Sequence, residues 1–210
     1  MKDGDKIRAY GKNYSPTKEI LTPKGMKPTS NINQQTVTNL DVMKILRRGM
    51  NLSQVRTVLD LGCGSFLDSK FDYKVQDILL NIFGDKEIKG LDIFKPNIDW
   101  RNEFGPKGVY EQVDITKYDF NEKYDVVICH HVLEHLTQEE HDKVLENIEK
   151  TFTKYAVLGG PVGYHDNTFH VRKSGNSNEE HKIGLNPEVY KKLGYEIFLI
   201  GKVFVAIKKK

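Results

Sequence analysis

The feature that most constrains the fold of this chain is a short apolar run that ends in a glycine-punctuated turn. Residues 57–61 form the run, which includes β-branched side chains, and Gly62-Cys63-Gly64 follows it directly. Such a run predicts a buried parallel strand, and glycines after it allow a tight turn and a close approach of a ligand to the main chain. The sequence therefore predicts a cofactor-binding loop, with a nucleoside-type cofactor as the natural candidate.

The residues around this loop discriminate between classes of nucleotide. A dinucleotide-binding loop needs Gly-x-Gly-x-x-Gly, but Leu67 occupies the position of the third glycine. A triphosphate-binding loop is excluded more firmly, because no Gly-Lys-Ser/Thr sequence follows Gly64. Asp60 lies at the end of the strand, where a carboxylate attracts a cationic group and repels a pyrophosphate. A positively charged nucleoside cofactor is therefore favoured over a nicotinamide or a triphosphate.

Composition limits the class of protein and its setting. The chain has 210 residues, enough for one well-buried domain, and its formal net charge of +3 is too small to indicate a nucleic-acid partner by itself. Two cysteines, Cys63 and Cys129, do not make a disulfide framework and suit a reducing compartment, so we expect a cytoplasmic location. We expect no membrane span, because no apolar run approaches roughly 18 residues.

The order of patterned segments predicts the architecture. Residues 1–33 are polar, proline-bearing and aperiodic, which predicts a flexible or extended lead-in before a domain over 34–210. In that domain, helical periodicity over 34–50 precedes β-type runs that alternate with helices, and Gly201 joins two final β-type runs as a hairpin. We expect an α/β fold with a Rossmann-like, doubly wound, mostly parallel seven-stranded sheet and an antiparallel C-terminal hairpin strand. The predicted β-type runs are 57–61, 88–93, 108–113, 124–129, 155–158, 195–200 and 202–207.

Polar residues stand at the ends of successive predicted strands. Asp60 and Asp92 lie at the ends of the first two runs, Asp114 follows the third, and His130 and His131 follow the fourth. In open parallel sheets, ligands bind outside the carboxyl ends of the strands, so these side chains should lie near one site. A carboxylate after the second strand can accept hydrogen bonds from both ribose hydroxyls of a nucleoside.

From Val55 to Ile207 the chain resembles the class I S-adenosylmethionine-dependent methyltransferases, and residues 124–136 resemble the fourth motif of their type 11 group. The resemblance implies S-adenosyl-L-methionine as cofactor, with its methionine part at the glycine loop, its ribose at Asp92 and its adenine at Asp114. Phe66 departs from the pattern, because most relatives have a third glycine there, so the loop bends differently or its ring flanks the methionine chain. The expected cofactor-binding residues are Asp60, Gly62, Cys63, Gly64, Asp92, Ile93, Asp114, Ile115 and His130.

The sequence gives less information about the methyl acceptor than about the cofactor. A small-molecule acceptor, such as a metabolite, a sugar or a lipid precursor, is expected from the resemblance, with the aperiodic segment after the fifth run as its binding loop. Histidine titrates near neutral pH, which makes His131 and His165 candidate general bases, although alignment and desolvation alone suffice for many acceptors. No compact spacing of ligand-type residues is present, so no metal site is expected. Tyr164, Phe169 and Arg172 are candidate acceptor contacts.

Two other functions stay open at this point. Methylation of RNA or of a protein is favoured by the lysine-bearing lead-in and by Lys208-Lys209-Lys210, although terminal lysines are more often solvated tails. A methyltransferase-like scaffold without catalysis is the second alternative, because a fold does not dictate a function. The acceptor atom and the oligomeric state are not assigned by the sequence.

Overall fold

The computed structural model describes residues 39–65, 74, 77–168, 171–172 and 175–210. The predicted lead-in over residues 1–33, the first part of the predicted helix 34–50, and Phe66, Leu67 and Phe169 lie outside the described residues.

The described chain folds around one seven-stranded sheet. The strands are β1 (Thr57–Leu61), β2 (Glu87–Asp92), β3 (Gly108–Gln112), β4 (Tyr124–His130), β5 (Phe152–Pro161), β6 (Glu196–Ile200) and β7 (Val203–Lys209). Their order in the sheet is β3-β2-β1-β4-β5-β7-β6; neighbouring strands from β3 to β5 pair in parallel, whereas β7 is antiparallel to both β5 and β6. The predicted mostly parallel sheet with an antiparallel C-terminal hairpin strand is thereby confirmed.

Helices cover both faces of the sheet, as a doubly wound fold requires. The helices are α1 (Asn39–Gly49), α2 (Ile78–Phe83), α3 (Lys95–Phe104), α4 (Gln138–Thr151) and α5 (Pro187–Lys192), with short 3-10 turns at Leu52–Gln54, Leu133–His135 and Ser177–Glu179. Apolar side chains of α1 and α2 pack on one face, and those of α4 and α5 pack on the other. Along the described ranges, no helix combines the length and the apolar character needed to cross a bilayer.

The start of α4 is fixed by hydrogen bonds between Thr137 and Glu140. The Thr137 hydroxyl accepts a hydrogen bond from the Glu140 amide, and the Glu140 carboxylate accepts one from the Thr137 amide. This capping box satisfies two amides that otherwise lack partners at a helix start. It thereby fixes the position of the preceding turn Leu133–His135, which borders the site described below.

Two elements differ from the sequence prediction. The helix α3 was not predicted, because its sequence is polar and its buried residues Ile98, Trp100 and Arg101 do not form a clear apolar stripe. The strand β7 continues through Lys208 and Lys209, which pair with Ala156 and Tyr155 of β5. The prediction of a solvated lysine tail is wrong for Lys208, whose ammonium lies 2.6 Å from the Glu149 carboxylate.

Candidate active site

The glycine loop leaves β1 at its carboxyl end and is tied to the neighbouring strand β2. The amides of Gly62 and Cys63 donate to the Leu91 carbonyl at 2.7 and 2.9 Å. Gly62 has a φ of +73°, and a Cβ there would lie 2.3 Å from a methyl carbon of Val132. Gly64 has a φ of +58°, and a Cβ there would meet only the Gly62 carbonyl oxygen at 3.9 Å, which is an ordinary contact. The first glycine is thus required by conformation and by packing, and the second by conformation alone.

Arg101, from α3, forms hydrogen bonds with the backbone of the glycine loop. Its guanidinium donates to the Cys63 carbonyl at 2.6 and 3.1 Å and to the Gly64 carbonyl at 3.1 Å. It also forms a buried ion pair with Asp77, whose other carboxylate oxygen accepts from the Leu80 amide at the start of α2. Neither residue was predicted to be functional from the sequence, since α3 itself was not predicted and a lone aspartate before an apolar helix has no distinctive pattern.

Asp92 ends β2 and faces the same loop. One carboxylate oxygen accepts from the Gly64 amide at 2.9 Å and from the Asn97 side-chain amide at 3.2 Å. The other oxygen accepts from the Phe94 amide at 2.8 Å. These bonds fix the orientation of the nearly buried Asp92 carboxylate. Asp92 and Ile93 both line one cavity.

Asp60 lies in a smaller cavity of about 280 Å³ on the other side of the glycine loop. Burial raises the pKa of its carboxyl to about 7, and the negative charges of Asp77 and Asp92 add to this effect, whereas the Arg101 guanidinium opposes it. The carboxyl is therefore poised to ionise near neutral pH. A cationic group that enters this cavity would stabilise the ionised form.

His130 lines the same smaller cavity from the end of β4. Burial lowers its pKa to about 3, and the neighbouring His131 acts in the same direction, so the ring is neutral at pH 7. Its Nε2 is buried and has no hydrogen-bond partner among the described residues. Cys63 also lines the cavity, and burial raises the pKa of its thiol, which makes it a poor nucleophile.

The larger cavity, of about 640 Å³, extends from the glycine loop toward the segment after β5. The predicted residues Asp114 and Ile115 lie in its wall, just beyond the end of β3. Asp114 accepts from the Thr116 amide and hydroxyl and pairs with Lys117 at 2.9 Å. Burial acts to raise the pKa of Asp114, but these bonds outweigh it and lower the pKa below its ordinary value.

The structure places the two candidate bases differently. His131 lines both cavities, has a φ of +57°, and its ring Nδ1 lies 3.2 Å from a carboxylate oxygen of Glu134. The His165 ring is not part of the lining of either cavity, and its Nε2 lies 3.0 Å from the Val162 carbonyl. The fold thus brings His131, and not the His165 ring, to the site.

Described residues of the segment between β5 and α5 line the larger cavity. Its two ends meet at Leu185, which pairs with Val162 and accepts a hydrogen bond from the Gly163 amide at 2.7 Å. The amide of Lys182 donates to the Glu134 carbonyl at 2.8 Å, which docks the segment on the turn after β4. The predicted acceptor loop therefore has a defined place in the fold.

The same docking brings together side chains that the sequence does not connect. Glu134 and His135 come from the turn after β4, and His181 comes from the segment after β5. Along the chain they show no metal-type spacing, which is why no metal site was predicted. Only the folded arrangement places them side by side.

The strand order, the glycine loop after β1 and the carboxylate at the end of β2 together define the class of protein. Residues 59–158 match the family model described as "Methyltransferase domain". Residues 59–158 therefore match a methyltransferase domain, and the fold around them agrees with the resemblance to class I S-adenosylmethionine-dependent methyltransferases.

Solved structures share this fold at low sequence identity. Magnesium protoporphyrin IX methyltransferase from Synechocystis PCC 6803, crystallised with bound SAH, is 18% identical, with 84% of this chain and 83% of that chain covered and a TM-score of 0.54. The N-methyltransferase NodS from Bradyrhizobium japonicum WM9 is 14% identical, with 81% and 95% covered and a TM-score of 0.56. A SAM-dependent methyltransferase from Archaeoglobus fulgidus is 18% identical, with 82% and 95% covered and a TM-score of 0.55. Comparison with curated proteins finds no significant match.

Proposed function

We propose that this protein transfers a methyl group from S-adenosyl-L-methionine to a small-molecule acceptor bound in the larger cavity. The cofactor supplies an electrophilic methyl group on a sulfonium. The observation that carries the proposal is the continuity of that cavity, which runs from Gly62, Gly64 and Asp92 to His131 and the segment after β5. Its volume of about 640 Å³ is typical of a small-molecule site.

The residues around the two cavities fit the chemistry of this cofactor. Asp92 presents a fixed carboxylate suited to ribose hydroxyls, and Asp60 offers a carboxyl that a cation would ionise. The unpartnered Nε2 of His130 offers a polar atom to the methionine part. Asp114 and Ile115 line the end of the cavity that we assign to the adenine. Cys63 and Ile93 complete the proposed set.

On the acceptor side, we propose that His131 is the general base that takes the proton of the methyl acceptor. Its Nδ1 is held by the Glu134 carboxylate, so Nε2 is the nitrogen left to take a proton from an acceptor hydroxyl or amine. Residues of the segment after β5 line the cavity beside His131 and so reduce its exposure to solvent. His165 is the second candidate base predicted from the sequence, and in the described structure its ring is bonded back to Val162.

A polymeric acceptor is the less favoured alternative. The C-terminal lysines lie by the amino end of β5, away from the carboxyl ends of the strands. Lys208 pairs with Glu149, and the Lys210 ammonium donates to the Glu149 and Phe152 carbonyls. Lys208 and Lys210 are thus engaged within the protein, and the position of all three lysines does not provide a basic patch beside the site for RNA phosphates.

The first test is calorimetric binding of S-adenosylmethionine and S-adenosylhomocysteine. We expect Asp92→Ala to weaken both at least about tenfold, because the loss of hydrogen bonds to a charged group costs about 1.5–3 kcal/mol. The control is Asp99→Ala, which removes an exposed carboxylate of α3 that pairs only with Lys95 among the contacts described. Folded protein without binding, or equal affinity in the Asp92 variant, would contradict the cofactor assignment.

Methyl transfer itself is tested with radiolabelled cofactor against small hydroxylated and amine-bearing metabolites, with total RNA in parallel. Transfer to a small molecule that falls at least about tenfold in His131→Ala is the expected result. Transfer to RNA alone, with a steep dependence on salt, would favour the polymeric alternative. Cofactor binding without transfer to any acceptor would favour a scaffold.

A further inference from the structure

Three side chains with metal-binding groups meet in the region where the acceptor is expected. One ring nitrogen of His135, one of His181 and one carboxylate oxygen of Glu134 all lie within 4.8 Å of one another. Two histidines and a glutamate form a known ligand set of catalytic zinc, which leaves one coordination position open. Both histidines line the larger cavity, so a cation between them would be accessible to a ligand there.

The two histidine rings are oriented as metal ligands usually are. The Nδ1 of His181 lies 2.7 Å from the His165 carbonyl, and that of His135 lies 3.3 Å from the Glu180 carbonyl. A carbonyl only accepts, so each Nδ1 carries the hydrogen and each Nε2 keeps its lone pair. Backbone carbonyls are common outer partners of ligating histidines, because they fix the tautomer and the ring orientation.

Glu134 provides an independent sign that a cation belongs here. Its side chain is fully buried, and one carboxylate oxygen lies 3.2 Å from the His131 Nδ1. The other oxygen is buried without a hydrogen-bond partner among the described residues. A buried carboxylate oxygen without a partner is costly, and a cation would supply that partner.

We propose that Glu134, His135 and His181 bind one divalent transition-metal cation of the zinc type. Ligand atoms around a tetrahedral zinc lie about 3.4 Å apart for bonds of about 2.0–2.1 Å. The three candidate ligand atoms lie at most 4.8 Å apart. Small side-chain rotations would bring them to the distance expected around zinc, since both histidines are only partly buried. Imidazole nitrogens favour such a cation over magnesium, which prefers oxygen ligands.

The site also narrows the class of acceptor, and this step rests on the proposed function. An acceptor with two adjacent oxygens, such as a catechol, a vicinal diol or a hydroxy acid, can chelate such a metal through its open position and a fifth one, because zinc can expand to five ligands. The metal would orient the acceptor and lower the pKa of the bound hydroxyl, whose proton passes to His131 as proposed above. The acceptor oxygen would then be both held and ionised beside the cofactor end of the cavity.

Metal binding is tested on the full chain after treatment with a chelator. Titration with zinc chloride in a calorimeter should show one ion per chain, and His135→Gln and His181→Gln should each weaken binding at least about tenfold. The matched control is His165→Gln, which removes an imidazole but keeps the carbonyl that His181 contacts. Far-ultraviolet circular dichroism verifies that each variant is folded. Absence of zinc binding, or equal affinity in both ligand variants, would overturn the proposal.

A second readout tests the open position without any turnover. Cobalt(II) replaces zinc as a coloured probe, and catechol added to the cobalt-loaded protein should shift its visible absorption bands. An unchanged spectrum at saturating catechol would overturn the acceptor class. Calorimetry with S-adenosylhomocysteine on the same samples separates the two proposals. Zinc binding without cofactor binding would contradict the proposed function alone, whereas the reverse would contradict the metal site alone.

Discussion

Arg101 and Asp77 form a buried ion pair directly beneath the glycine loop. The same guanidinium donates to the carbonyls of Cys63 and Gly64, so one side chain joins α3, the start of α2 and the loop. The conformation of the loop is therefore fixed by the protein itself. A preorganised loop binds its ligand without a further cost in ordering.

Removal of Arg101 should lower both the free energy of unfolding and the affinity for the cofactor. We expect Arg101→Met to lower the free energy of unfolding by about 3 kcal/mol, because it leaves Asp77 charged and buried without its partner. The double variant with Asp77→Asn should be less destabilised than the sum of the two single variants, since asparagine still caps α2. Urea unfolding followed by circular dichroism measures all four proteins, and strictly additive effects would argue against coupling.

The two glycines of the loop should respond unequally to alanine. Gly62→Ala introduces a Cβ that would meet Val132 and also strains a positive φ, whereas Gly64→Ala only strains the backbone. We expect Gly62→Ala to weaken S-adenosylhomocysteine binding more than Gly64→Ala does. Val132→Ala should restore part of that loss in the Gly62 background by vacating the space. Calorimetry checks this, and the absence of any rescue would contradict the packing explanation.

Cofactor affinity should depend on pH through Asp60. Burial raises the pKa of this carboxyl to about 7, so below pH 7 it is increasingly protonated. A cationic cofactor binds better to the carboxylate, so affinity should rise with pH from 5.5 to 7.5, by up to about tenfold for each pH unit below the pKa. The cofactor's own ammonium remains charged over most of this range, since an α-amino group titrates near about 7.7.

The control for this pH dependence is Asp60→Asn, which removes the titrating group and keeps its shape. In that variant the affinity should be lower at pH 7.5 and nearly independent of pH between 5.5 and 7. Calorimetry at several pH values gives both curves. A wild-type curve that is already flat would show that Asp60 does not face the cationic part of the cofactor.

The backbone at His131 should be strained, because its φ of +57° is unfavourable for a residue with a side chain. Comparison of His131→Ala with His131→Gly isolates this strain, because both variants lose the imidazole and its contact with Glu134. We expect the glycine variant to be more stable by about 1 kcal/mol. Urea unfolding tests this difference, and equal or reversed stabilities would contradict it.

Features that depend on neighbours along the chain were predictable from the sequence. The strand over residues 57–61 and the turn at Gly62 and Gly64 lie in one continuous segment, and their positions agree with the prediction. Asp92 was identified because it ends a recognisable β-type run. Such features are encoded by local residue preferences and spacing.

Features that depend on contacts between distant segments were not predictable. Arg101 lies 38 residues from Cys63, which it contacts, and its helix has little apolar periodicity. His181 approaches Glu134 only because the segment after β5 docks on the turn after β4. Lys208 belongs to a strand because it pairs with Ala156 and Glu149, although its charge alone indicates a solvent-exposed tail.

The junction of Val162 and Gly163 with Leu185 has a consequence for how this protein can change during evolution. The two ends of the segment between these residues lie side by side. Its length and sequence can therefore vary without displacing β5 or α5. The residues proposed for the cofactor lie on the other strands and are untouched by such variation. New acceptors can therefore arise by exchange of one loop, while the methyl donor stays the same.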